Sequence, residues 1–112
     1  MDKLPAASLD QSGLSIETIT HIQHVLTHHP AIERAILYGS RAKGNYKPAS
    51  DIDLTLYAEK LTYAELIQIE NELDDLLLPY TIDLSWYQQL DNSQLIDHIN
   101  RCGVVFYCAA YK

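Results

Sequence analysis

Positive charge is scarce in this chain. Eight Lys and Arg stand against fifteen Asp and Glu in 112 residues, giving a formal net charge of −7 and a pI of about 5.0. A protein that grips long DNA or RNA needs a cationic face to displace counterions from phosphates. That deficit therefore argues against a stable complex with long nucleic acid. It suits a basic protein partner, or a small anionic substrate that arrives with metal ions. Cysteine is also scarce: Cys102 and Cys108 form no CxxC pair. No apolar run reaches about 18 residues, which excludes a transmembrane helix and a membrane role. No secretory signal opens the chain, so the cytoplasm is the expected setting, with both thiols reduced. Repeats and low-complexity stretches are absent as well. What is present is a 47% hydrophobic chain, enough for one modest core and against disorder. The expectation is a single domain over residues 1–112, with residues 1–13 as a loose lead-in.

The punctuation of the chain sets out its elements. Ser15 can cap a helix running to about His28, with Ile16, Ile19, Ile22, Val25 and Leu26 on one half of its wheel. Glu17, His21, His24 and His28 fall on the other half, and Pro30 closes the element. Ala35 to Tyr38 is a short apolar run that predicts a buried strand, ended by Gly39. Ser40 to Lys43 can start a short helix before Gly44. Asp51 to Tyr57 alternates acidic or polar with apolar residues, the pattern of a two-faced strand. Thr62 and Glu65 have capping-box spacing, and Leu61 and Leu66 have staple spacing. The helix they open would bury Leu66, Ile69, Leu73, Leu76 and Leu77, leave Glu72, Asp74 and Asp75 in solvent, and end at Pro79. Thr81 to Trp86 is a second alternating strand. Asn92 or Ser93 caps a third long helix that Gly103 ends, and Val104 to Tyr107 makes the last strand. The order α-β-(short α)-β-α-β-α-β predicts an α/β (α+β) fold, a mixed sheet with helices mainly on one face.

Strand parity then gathers acids. On Asp51 to Leu56, side chains alternate, so Asp51, Asp53 and Thr55 share a face opposite Ile52, Leu54 and Leu56. The two carboxylates stand about 6.6 Å apart at about 3.3 Å per residue, and they repel unless a cation lies between them. Ile82, Leu84 and Trp86 point one way from the later strand, and Asp83 points the other. If the two strands are neighbours with both apolar faces on the helices, Asp83 joins the acidic face. Carboxylates converging on two Mg²⁺ ions is the arrangement of two-metal phosphoryl-type transfer. Upstream, Gly39 allows close backbone approach to a ligand. A helix starting at Ser40 would aim free N–H groups at an anion, with Arg41 and Lys43 to offset phosphate charge. Asn45-Tyr46 follow Gly44 where a Walker A loop needs Lys and Ser or Thr, so a P-loop NTPase is rejected.

Gly39-Ser40, ten intervening residues, Asp51-x-Asp53 and later Asp83 together resemble the minimal nucleotidyltransferases of the DNA polymerase β-like superfamily. The resemblance rests on Ala35 to Tyr57 and Thr81 to Trp86, about a quarter of the chain. It implies a nucleotidyltransferase-like fold, with Gly39 and Ser40 holding the triphosphate of ATP. Asp51 and Asp53 would bind two Mg²⁺ ions, and Asp83 would serve as metal ligand or general base. It further implies an antitoxin that passes AMP from ATP to a hydroxyl, such as a tyrosine, of a HEPN-type RNase toxin. Two alternatives stay open: neutralisation of a basic toxin by contact alone, and nucleotidyl transfer to a small molecule or RNA. Homodimeric and hetero-oligomeric states are both compatible with the sequence.

Other features have plainer readings. His24 to His28 lacks the Glu of an HExxH motif, and the wheel puts His21, His24 and His28 in solvent. Trp86 reads as core. The eight tyrosines are mostly half-buried on this reading, with a few available to a partner.

Overall fold

A computed structural model describes residues 9–109 of the chain. Residues 1–8, the larger part of the expected lead-in, lie outside the described residues. A 3-10 turn over Asp10–Ser12 is followed by α1 (Ile16–Thr27), β1 (Arg34–Tyr38), α2 (Ser40–Lys43), β2 (Ile52–Tyr57), α3 (Tyr63–Asp74), β3 (Ile82–Trp86), α4 (Ser93–Cys102) and β4 (Val104–Cys108). The strands form one mixed sheet in the order β3-β2-β1-β4. β1 runs antiparallel to both β2 and β4, while β2 and β3 are parallel.

The helices start where their caps stand. Ser15 Oγ accepts the Thr18 N–H at 3.1 Å, Thr62 Oγ1 the Glu65 N–H at 3.2 Å, and Asn92 Oδ1 the Leu95 N–H at 3.0 Å. Each bond satisfies a donor that the first helical turn leaves without a partner. The apolar parity of the strands decides what lies inside. Ala35, Leu37, Ile52, Leu54 and Leu56 are fully buried with Ile22 and Leu26 of α1 and Ile69 of α3. Trp86 joins this core and donates its indole N–H to the Ala58 carbonyl at 2.9 Å. α4 covers the opposite face through Ile99, which packs with Ile36 and Tyr38. Gly103 follows α4 in extended backbone and serves contact. A Cβ there would meet Ile36 Cγ2 and the Ile99 carbonyl oxygen, each at 2.5 Å.

Three expectations are corrected. α3 ends at Asp74, well before Pro79, and Leu77 adopts φ 55° and is 87% exposed, so it is not core. Ile16 is likewise in solvent, because it opens the first turn of α1. Glu72 is not a solvated acid. It meets His29 Nε2 at 2.7 Å while Glu65 meets Nδ1 at 2.9 Å. Carboxylates only accept, so both ring nitrogens donate and His29 is an imidazolium, 4% exposed, tying the end of α1 to α3. Its pKa is raised: burial opposes the charge, and the bonds to Glu72 and Glu65 outweigh that. Glu65, the second half of the expected capping box, is thus taken by His29.

Residues 9–13 differ from a loose lead-in as well. Leu9 and Ser12 are buried, and the Ser12 carbonyl accepts from Arg41.

Candidate active site

The sheet register assembles one row across three strands. Tyr38 of β1 lies opposite Asp53 of β2, and Asp53 lies opposite Asp83 of β3. Residues directly opposite share a face, so Tyr38, Asp53 and Asp83 all lie on the face away from the main core. Asp51 is the residue just before β2 and is exposed, as is Asp83. Asp53 is half-buried, and its pKa is pushed up to about 6, first by burial and then by the charges of Asp83 and Asp51. Tyr38 is buried and its pKa is raised, with burial the leading cause and the Asp83 and Asp53 charges adding to it.

The Gly39-Ser40 turn abuts this row. Gly39 has φ 79° and ψ −156°, backbone that is essentially restricted to glycine. A Cβ at Gly39 would stand 2.4 Å from Asp53 Oδ2, so the bare α-carbon is what lets the turn approach the carboxylate. Ser40, half-buried, opens α2 immediately beyond. The Gly39 N–H donates to His98 Nε2 of α4 at 3.1 Å. His98 therefore carries no proton on Nε2, and its ring meets that of Tyr38 edge to face at 6.2 Å. No sequence signal marked His98, because the contact spans 59 residues.

Arg41 corrects the sequence reading. It is 1% exposed, and its guanidinium donates to the carbonyls of Ser12 (2.7 Å), Ser50 (3.1 Å) and Pro48 (3.2 Å). It also lies over the rings of Tyr46 and Tyr80, at 4.8 and 4.7 Å. Arg41 is thus neither a phosphate ligand nor a surface residue. It pins the segment before β2 and the Asp10–Ser12 turn around α2. Lys43 is exposed at the end of α2.

Do these residues suit a hard divalent cation? Among the described residues, no three His, Cys, Asp or Glu side chains already converge as a closed metal cage. Mg²⁺ commonly takes one or two carboxylates and fills its shell with water and substrate phosphates. The all-oxygen set of Asp51, Asp53 and Asp83, with the Asp53 pKa held up by burial and by its neighbours' charge, suits that mode.

The profile of the family described as polymerase beta, nucleotidyltransferase matches residues 20–112. This chain belongs to that nucleotidyltransferase family. A relative from Methanocaldococcus jannaschii, provisionally named a protein adenylyltransferase, is 33% identical over 70 residues, spanning 55% of this chain and 71% of its own. Two solved structures share the nucleotidyltransferase fold. One is a toxin–antitoxin with AMP-PNP, at TM-score 0.66 and 21% identity, over 80% of this chain and 73% of that one. The other is the toxin–antitoxin MntA-HepT, at TM-score 0.62 and 17% identity, over 87% and 75%. The mixed sheet with its helices is the architecture expected of this family from the strand and helix order. Among the described residues no helix is long and apolar enough to cross a membrane, and Cys102 and Cys108 are free thiols.

Proposed function

We propose that this nucleotidyltransferase moves AMP from ATP to a hydroxyl of a HEPN-type toxin and thereby acts as its antitoxin. The observation that carries the reading is the Asp53–Asp83 pair beside the Gly39 turn. The relative named a protein adenylyltransferase and the toxin–antitoxin neighbours, one with AMP-PNP, agree with it.

In this mechanism the triphosphate lies along Gly39 and Ser40, with Lys43 at its edge. The Gly39 N–H is held by His98 Nε2, and the Gly39 α-carbon packs against the Asp53 carboxylate. Mg²⁺, held by Asp51, Asp53 and Asp83, would neutralise phosphate charge and lower the pKa of the attacking hydroxyl. The acceptor oxygen forms a bond to the α-phosphorus. The bond from that phosphorus to the bridging oxygen breaks, and its electron pair leaves with pyrophosphate. Asp83, exposed at the open end of the row, takes the acceptor proton.

Contact alone is the reading to separate from this one, since the charge of −7 suits a basic toxin. The test expresses the toxin with the wild type or with an Asp51→Ala, Asp53→Ala variant, and scores growth. The transfer reading predicts that the variant still binds the toxin but no longer rescues growth. Full rescue by the variant would leave contact as the mechanism.

A further inference from the structure

Outside the acidic row, the feature with most to offer is the free edge of β3. β3 pairs with β2 alone among the described residues. The Ile52 N–H bonds the Thr81 carbonyl at 2.9 Å, and this fixes the phase of the ladder. Thr81, Asp83 and Ser85 turn their main-chain groups toward β2. Ile82 and Leu84 turn theirs outward, where an added strand could take them. Natural edges are commonly guarded by lysine, proline or a bulge. Ile82–Trp86 carries neither residue and pairs with β2 without a register shift.

Beside this edge, on the helix side, lies a cavity of about 260 Å³ lined by Glu70, Asn71, Leu73, Asp74, Ile82 and Leu84. Leu73, Ile82 and Leu84 contribute to its lining, but most of the surface it exposes is polar, and the exposed carboxylates of Glu70 and Asp74 stand among its lining residues. A mostly polar cavity that carries two carboxylates suits the charged end of a lysine or arginine, with its stem against the small apolar part of the lining.

The geometry points to β3 as the docking edge for an extended, basic segment of the acceptor protein, added as a fifth strand. Pleating divides the work of such a segment. Residues opposite Ile82 and Leu84 face the cavity, and the residue opposite Asp83 faces the acidic row. Asp83 turns its own main chain to β2, so its opposite number takes the close, non-hydrogen-bonded position, about 4.5 Å between α-carbons in an antiparallel pair. A hydroxyl residue flanked by basic ones would thus sit beside Asp83 with its neighbours over Glu70 and Asp74. A second copy of this chain is a poor occupant, because each copy carries a net charge of −7. The inference rests on the transfer reading for why a hydroxyl is presented, and on the edge and cavity alone for where the segment binds.

The probe is a short extended peptide of alternating valine and threonine whose central tyrosine is flanked by lysines. A matched peptide carries glutamates instead of the lysines. Binding is read without nucleotide, by amide hydrogen exchange. The lysine peptide should slow exchange at Ile82 and Leu84, and the glutamate peptide should not. A Glu70→Lys, Asp74→Lys variant, altered only at exposed positions, should bind the lysine peptide about tenfold more weakly. Equal binding of both peptides, or protection elsewhere on the surface, would overturn the docking edge. So would protection at Ile82 and Leu84 that appears in the chain alone and grows with its concentration, the mark of self-pairing. ATP and Mg²⁺ are then added. AMP on the lysine peptide supports both claims. Protection without AMP supports the edge and counts against the transfer reading. AMP without protection of β3 supports transfer and overturns the edge.

Discussion

Replacing Asp53 with asparagine should make the fold more stable while destroying the activity assigned to the acidic row. The fold holds Asp53 at about 6 against an ordinary value of 3.8, a difference of about 2. At about 1.4 kcal/mol per tenfold change, that is about 3 kcal/mol of free energy opposing the ionised folded state. Asp53 is only half-buried, so solvent screening reduces this to about 1–2 kcal/mol. The sign follows from linkage. A carboxyl with a raised folded value binds its proton more tightly when folded, so its ionisation weakens the fold. The cost is absent below about pH 4, where both states are protonated. It grows between about 4 and 6, and is complete at pH 7. In chelator at pH 7, Asp53→Asn should therefore melt above the wild type by about 5–10 °C, at roughly 4–8 °C per kcal/mol. The gap should close at pH 4. Thermal melts at both pH values check this, and Mg²⁺ should raise the wild-type midpoint more than that of the variant. A variant no more stable than wild type at pH 7, or equally stabilised at pH 4, would refute the claim that burial and the neighbouring acids oppose the ionisation of Asp53.

Three further outcomes follow from named contacts. His29→Ala should lose about 1–3 kcal/mol at pH 6, since two carboxylates lose their shared donor. His29 is raised on folding, so its contribution is full below about 6.5 and fades as pH rises through its folded value; the deficit in urea melts should shrink by pH 9. Arg41→Lys should cost about 2–4 kcal/mol by denaturant titration, because an ammonium cannot reproduce the planar fork reaching three carbonyls between two tyrosine rings. Thr55→Val should stabilise by about 1 kcal/mol, because Thr55 Oγ1 is fully buried and has no hydrogen-bond partner among the described residues. Loss of stability in that variant would mean the hydroxyl has a partner.

What was legible in the sequence was local or periodic. Ser15, Thr62 and Asn92 sit one residue before the helices they cap, so short-range hydrogen bonds marked those boundaries. Parity on β2 and β3 put Asp83 on the face of Asp53, and the register places the two opposite each other. Residues that answer to distant partners were not legible. Arg41 looked like a basic side chain next to a phosphate turn, and nothing nearby announces that Ser12 and Pro48 will cage it. His29 and Glu72 are 43 residues apart, and His98 and Gly39 are 59 apart. Such contacts depend on how helices land on the sheet, which no window of sequence contains. Leu77 failed for a different reason. Its helical spacing continues the stripe of α3, but the backbone turns left-handed at φ 55° and carries the side chain into solvent.

The most direct measurement is the intact mass of a purified HEPN-type partner after incubation with this chain, ATP and Mg²⁺. The account predicts a gain of AMP mass on the partner with wild-type chain and none with Asp53→Asn, although that variant is folded and still binds. An unmodified partner in a stable complex with the wild type, or equal AMP addition by the variant, would contradict it.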